Sequence, residues 1–380
     1  MPKPYTVMYV NGQSEIGGGE KSLLELVRNL DLERYSPLVV LPAEGTLSVS
    51  LRECGVGCLT GFSLPPLLKG KFLGWPRAVS RMVKIARREK VDIIHGNGTR
   101  ENIASGVAAR LLGIPSVWHI RNLVVPGMRD LERPLSFLPT RIIANSRAVA
   151  RRVKDIPWAR KRLEVVYNGV DLRLFNGNGG EVVRRDLGVG QDEILVGIVG
   201  RIGTGKGHEL FVRAAKRALE GREDLRFVIV GDELFTENGR RRRLAELVRE
   251  LGLNDRVTLT GYRRDVERVI QALDILVLAS EREPFGRVLI EAMAAGKPVI
   301  ATAGGGVREV VEAGVSALLV EPGDVRLMAS AIKRLSADRD LRERMGRSGR
   351  ERVLRKFTIE RHVSRIQRIY DDILGEGGRR

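Results

Sequence analysis

The chain has no apolar run approaching the length of a membrane-spanning helix, and only two cysteines in 380 residues. The stretch YTVMYV near the start turns polar at Asn11. It is too short for the core of a signal peptide and reads as a first strand. The simplest expected location is cytoplasmic, extending to the inner face of the cell membrane. Cys54 and Cys58 stand in CGVGC with no nearby histidine or third cysteine to complete a four-ligand metal site. They read as structural thiols around a short β segment. Histidines number four. Acid is in deficit, with 47 Asp and Glu against 65 Lys and Arg, a formal net charge of +18.

A chain of 380 residues exceeds what one hydrophobic core usually supports, and 43% apolar residues suffice for two. Short apolar strands alternate with longer amphipathic segments almost throughout, the pattern of α/β layers on mainly parallel sheets. TVMYV, PLVVL, VDIIHG, SVWHI, RIIAN and LEVVYN read as strands of a first domain, with helices at EKSLLELVRNL, 103–112 and 147–153. The alternation pauses in DLRLFNGNGGEVVRRDLG, whose Gly- and Asn-rich centre suits a connection between domains. It restarts at ILVGIVG, RFVIVG, RVTLTG, DILVLAS and PVIAT. This spacing predicts domains at 1–172 and 173–358, with a further helical segment at 359–380. Open α/β sheets bind ligands beyond their C-terminal strand ends, so two such domains facing one another make an interdomain cleft.

The most basic stretch is KGKFLGWPRAVSRMVKIARREK, Lys69–Lys90. There Trp75, Val79, Met82, Val83 and Ile85 alternate at helical spacing with Arg81, Lys84, Arg87 and Arg88. Two readings stand: an ordinary helix buried on one side, or a face for anionic lipid or an anionic acceptor. Nucleic acid is not expected.

The densest chemistry lies in EPFGRVLIEAMAAGKPVIAT, Glu283–Thr302. A carboxylate and a Pro-Phe-Gly turn follow a strand, and Glu291 sits two helical turns further on. A helix N-terminus offers backbone N–H groups to an anion, and two spaced carboxylates can hold two hydroxyl-bearing parts of one ligand. Two polyols joined by a diphosphate, a sugar nucleotide, fit that pattern. GRIGTGKG, Gly200–Gly207, matches a phosphate loop up to Lys206, but Gly207 replaces the hydroxyl residue that would bind magnesium, which argues against an NTP hydrolase. Arg201 and Lys206 suit a departing diphosphate. Gly17, Gly18 and Gly19 precede a helix without the GxGxxG spacing of a dinucleotide site. His119 and His95 end strands, where a histidine can donate to a hydroxyl or carry a proton. Gly304, Gly305 and Gly306 read as a further wall of the pocket.

With these residues in place, the chain resembles the retaining, nucleotide-sugar-dependent glycosyltransferases of family 4, over essentially its whole length. EPFGRVLIE matches the family's E-x7-E motif, and VGRIGTGKG and GGVRE match in order; GGGE, ANSR and VYNGVD match more loosely. The resemblance implies the GT-B fold, two Rossmann-like domains across a cleft, with segment 359–380 crossing back to the first domain. It implies that Arg201 and Lys206 hold the donor diphosphate, that Glu283 contacts hydroxyls of the transferred sugar, and that Glu291 binds the nucleotide ribose. The backbone around Phe285 and Gly286 would touch sugar and phosphate, Gly18 and Gly19 would close over phosphate, and His119 would lie near the sugar's C6 hydroxyl. The chain departs from the family in carrying Arg308 where proline is usual, and Ile120, Arg121 and Asn122 after His119. Arg121 and Asn122, with Gly18, are the expected acceptor side.

The expected function is therefore retaining transfer of a hexosyl unit from a UDP- or GDP-sugar to an acceptor hydroxyl, with no cofactor and no metal. The acceptor would be a glycan, a small molecule or a lipid carrier, as in envelope glycan or glycolipid synthesis. A nucleotide-sugar epimerase of the same architecture is one alternative. A nonenzymatic basic protein bound to anionic membrane or nucleic acid is another.

Overall fold

The structure, a computed structural model, describes residues 3–66, 74–177, 179–233 and 239–377. They form two compact units: the chain up to Gly169 together with the helix Ile359–Gly377, and the stretch Val170–Thr358.

Among the described residues the first unit holds seven strands: β1 (Tyr5–Val10), β2 (Tyr35–Val40), β3 (Gly57–Leu59), β4 (Ile93–Gly96), β5 (Ser116–Ile120), β6 (Arg141–Ala144) and β7 (Leu163–Val165). Their order is β3-β2-β1-β4-β5-β6-β7, and every pairing is parallel. Successive side chains point to opposite faces, and helices bury both. Val7 and Tyr9 of β1 pack with Leu23 and Leu26 on one face; Met8 and Val10 pack with Val79, Met82 and Ala104 on the other. The helix Ile359–Gly377 belongs to the first of these faces. Its Ile359, Val363, Ile366, Ile369, Tyr370 and Ile373 are all buried in that core, at the three- and four-residue spacing of an apolar stripe.

The second unit has six strands among the described residues: β8 (Ile194–Val199), β9 (Leu225–Val230), β10 (Val257–Gly261), β11 (Ile275–Leu278), β12 (Val299–Thr302) and β13 (Ala317–Val320). They are ordered β10-β9-β8-β11-β12-β13 and are again all parallel. Each sheet reverses its winding direction once, between β1 and β4 in the first unit and between β8 and β11 in the second. Such switch points place strand ends where ligands bind.

The helix Gly74–Arg88 uses its apolar stripe against the first sheet: Ala78, Val79, Met82, Val83 and Ala86 are buried. Arg77, Arg81, Lys84, Arg87 and Arg88 remain exposed. Of the basic stretch, Lys69–Phe72 and Leu73 lie outside the described residues. No helix among the described residues is long and apolar enough to cross a membrane. The segment read as a connection carries secondary structure. Leu172–Phe175 makes a short 3-10 turn, and the helix Gly180–Asp186 packs on Val266–Ala272. The helix at 147–153 is shorter than its pattern, ending at Ala150.

Candidate functional site

In the second unit the chain leaves β8 through Gly200, turns at Gly205 and enters the helix His208–Ala218 at Gly207. Gly207 has φ +76°, and a Cβ there would stand 2.0 Å from the Ala279 carbonyl oxygen, so no other residue fits. The Glu281 N–H donates to the Gly205 carbonyl at 2.9 Å, tying the loop to the segment after β11. This brings Lys206 Nζ to 2.9 Å from Glu283 Oε2, with the Glu283 side chain 13% exposed. Arg201 lies exposed at the start of the same loop.

Gly304 and Gly305 let two stretches of backbone meet. A Cβ on Gly304 would meet the Glu281 carbonyl oxygen at 2.2 Å, and one on Gly305 the Glu283 carbonyl oxygen at 2.1 Å. The Gly306 N–H donates to that Glu283 carbonyl at 2.8 Å. Missing side chains let two backbones touch, and this contact holds Glu283 in place. Gly286, at φ +86°, starts the helix Arg287–Ala294, on which Arg287 Nε donates to Glu291 Oε1 at 2.8 Å, both side chains nearly buried. The Phe285 ring is buried edge-on against Phe357 at 5.9 Å between centroids. His208, beside Lys206, is buried, and burial together with that ammonium lowers its pKa to about 4.

In the first unit, the loop after β1 ends at the helix Gly18–Arg28, where Glu20 accepts from the Gly17 N–H at 3.2 Å. A Cβ on Gly18 would meet nothing within 4 Å, and one on Gly19 only Arg121 Cδ at 3.6 Å. Packing demands neither glycine.

Arg121 is nearly buried at the end of β5. Its Nε donates to Asn97 Oδ1, its Nη1 to Ser22 Oγ at 3.0 Å and to Asn168 Oδ1 at 3.1 Å, and its Nη2 to His119 Nδ1 at 3.2 Å. Asn97 in turn donates to Asn11 Oδ1 at 2.6 Å. His119 is fully buried with its ring tilted 41° to that of His95, whose Nε2 lies 3.3 Å from His119 Nδ1. Burial, reinforced by the Arg121 charge, lowers the His95 pKa to about 3 and holds His119 well below the usual histidine value. Both rings are neutral at pH 7. Asn122 sits apart from this cluster: it is exposed, and its carbonyl accepts from Arg152 at 2.9 Å.

Sequence reading missed the cradle of Asn11, Ser22, Asn97 and Asn168 around Arg121. It also missed Glu101, a nearly buried carboxyl against Gly12 and Gly98 whose pKa burial raises. Among the described residues no group of three or more His, Cys, Asp or Glu side chains is placed to hold a metal ion. Cys54, just before β3, and Cys58, within it, are free, half-buried thiols.

Two family models match the chain: Glycosyltransferase Family 4 over residues 16–174, and Glycosyl transferases group 1 over residues 181–352. The chain is a GT-B-fold glycosyltransferase related to these families. Among solved structures, Anabaena HepE in complex with UDP-glucose is 25% identical to the transferase, with a TM-score of 0.86 over 97% of this chain and 99% of HepE. The N-acetyl-alpha-D-glucosaminyl L-malate synthase of Bacillus anthracis is 29% identical over 78% of each chain. The UDP-Gal:alpha-D-GlcNAc-diphosphoundecaprenol alpha-1,3-galactosyltransferase of Escherichia coli is 27% identical, covering 94% of the transferase and 95% of that enzyme.

Proposed function

We propose that the transferase moves a hexosyl unit from a UDP- or GDP-linked sugar to an acceptor hydroxyl, with retention at the anomeric carbon. The observation that carries this reading is the contact between Lys206 and Glu283. In a sugar nucleotide the phosphate and the sugar hydroxyls are separated by one glycosidic bond. An ammonium and a carboxylate that touch can therefore engage the two sides of that bond at once.

Lys206, Arg201 and the helix N-terminus at Gly207 and His208 stabilise the charge that builds on the departing diphosphate. Glu283 orients the sugar through its hydroxyls, and the Gly304–Gly306 contact keeps its backbone fixed. Glu291, steadied by Arg287, binds the ribose. Gly18 and Gly19 leave room for phosphate, which accounts for two helix-weakening residues where packing requires neither. Arg121 and His119 serve the sugar and acceptor side, with Asn122 on the exposed loop beyond. Front-side attack, with the acceptor oxygen entering on the face the diphosphate leaves, needs no enzymic nucleophile.

A lipid-linked, anionic acceptor is proposed on two grounds: the E. coli relative is named for a diphosphoundecaprenol-linked sugar acceptor, and Gly74–Arg88 exposes five cations. Since the apolar stripe of that helix is spent on the core, contact with an anionic membrane face would be electrostatic. The test of transfer is incubation with each common UDP- and GDP-hexose, with and without acceptor mixtures, monitoring nucleoside diphosphate release and the anomeric configuration of the product. Intact donors under every condition, or a product of inverted configuration, would overturn the proposal.

A further inference from the structure

A chain of hydrogen bonds runs through the first unit from the C-terminal helix to Arg121. Tyr9 Oη and Tyr370 Oη lie 3.0 Å apart, Tyr370 Oη and His95 Nδ1 2.6 Å, His95 Nε2 and His119 Nδ1 3.3 Å, and His119 Nδ1 and Arg121 Nη2 3.2 Å. Every member is buried. Its direction is set at one end, because a guanidinium can only donate. His119 Nδ1 therefore accepts from Arg121 and carries no proton. His95 Nε2, facing that same lone pair, must carry one, and the two distances above 3.1 Å fit a shared acceptor. A neutral His95 then has a bare Nδ1, which accepts a hydrogen bond from the Tyr370 O–H, and the Tyr370 oxygen accepts from Tyr9. The opposite sense would put the N–H of His119 Nδ1 head-on against an Arg121 N–H.

We infer that Arg121, His95 and Tyr370 lock His119 as the Nε2–H tautomer, making His95 and Tyr370 positioning residues and His119 a fixed hydrogen-bond donor rather than a base. His119 Nε2 is buried and has no hydrogen-bond partner. A buried donor without an acceptor is costly, so its retention is accounted for when a ligand oxygen supplies the acceptor. Two further contacts hold the strand beneath it: Asn102 Oδ1 accepts from the His119 N–H at 3.2 Å and Asn102 Nδ2 donates to the His119 carbonyl at 3.3 Å. The remaining titratable neighbour, His362, lies 6.4 Å away between ring centroids and has its Nδ1 2.7 Å from the Tyr167 carbonyl, which fixes the reverse tautomer there.

What the His119 N–H serves rests on the transfer reading above; the tautomer does not. Long-range proton–nitrogen spectra of the full chain labelled at its four histidines, without ligand at pH 7, read the tautomers directly. His119 and His95 are expected as Nε2–H and His362 as Nδ1–H, each assigned by the loss of its signals on substitution. Tyr370→Phe removes only the hydroxyl and is expected to leave the His95 proton on Nε2, opposite the bare His119 Nδ1, while the His95 Nδ1 shift moves further from that of Nε2 as the accepted hydrogen bond is lost. A proton on His119 Nδ1, a doubly protonated His119, or unmoved His95 shifts in Tyr370→Phe would overturn the inference. Correct tautomers in a protein that transfers no sugar would instead sink the transfer reading and leave the hydrogen-bond chain standing.

Discussion

Lys206 Nζ stands 2.9 Å from Glu283 Oε2, although 77 residues separate the two in the chain. The pairing depends on the neighbouring strand ends of β8 and β11 and on glycines that let their loops touch. The Lys206 side chain is 32% exposed, so the pair itself adds little to stability. Glu283→Gln is therefore expected to shift the urea midpoint only slightly. It should lower kcat by about 100-fold, the scale seen when one pre-aligned polar group is removed from a transition state. Transfer rates with saturating donor, measured beside nucleoside diphosphate affinity, check this: kcat should fall while that affinity stays near wild type.

Gly18→Ala separates folding from function. The added methyl meets nothing within 4 Å, so the helix should gain about 0.5–1 kcal/mol of stability. Donor KM should rise as the methyl enters space kept for phosphate. Thermal unfolding and donor saturation curves on the same preparation test both halves. A stabler variant with unchanged KM would remove Gly18 from the donor site.

Gly207→Ala should have the opposite stability effect. The φ of +76° costs an L-residue about 1–2 kcal/mol, and the collision with the Ala279 carbonyl adds to it. Chemical denaturation should show a loss of at least that size, and activity should fall because Lys206 moves with its loop.

The buried neutral histidines predict a pH dependence of stability. His95 (about 3), His208 (about 4) and His119 all have folded pKa values below the unfolded value near 6.5. The unfolded chain thus binds more protons below pH 6.5, and stability falls as pH drops through that point. Each histidine contributes a slope of about 1.4 kcal/mol per pH unit. Urea midpoints between pH 6.5 and 5, above the range of most carboxylates, should decline steeply, while those from pH 7 to 8 should be flat. A flat profile down to pH 5 would mean that these rings are not buried neutral.

Neutralising the exposed cations tests the membrane proposal separately. With Arg81, Lys84, Arg87 and Arg88 changed to glutamine, binding to vesicles rich in anionic lipid should weaken by tenfold or more at low salt. Donor affinity should not change. Vesicle binding unaffected by the four substitutions would remove the basic helix from that role.

The strands were legible because parallel strands buried on both faces read as nearly continuous apolar runs, as in ILVGIV and DILVLAS. The Lys206 loop and the Glu283–Glu291 segment were legible because glycine and charge recur there at motif spacing. β13 and the helix Val325–Ala337 escaped notice, since ALLV is only four residues long and the helix start is marked chiefly by Asp324, whose side chain accepts from the Arg326 and Leu327 N–H groups. The Asn11, Ser22, Asn97 and Asn168 cradle could not be read along the chain. These residues are scattered from position 11 to position 168, after β1, on the helix Gly18–Arg28, after β4 and after β7, and meet only in the folded unit. The backbone contacts of Gly304 and Gly305 were not legible for a related reason: a glycine that admits a ligand and one that admits another backbone look alike in sequence.

The most direct measurement is titration of the protein with UDP and GDP, each against its parent nucleoside, repeated on the Arg201→Ala, Lys206→Ala double variant. One diphosphate should bind at least tenfold tighter than its nucleoside, and the double variant should erase that difference. A nucleoside that binds as tightly as either diphosphate, or a double variant with undiminished preference, would contradict the assignment of these two cations to the diphosphate.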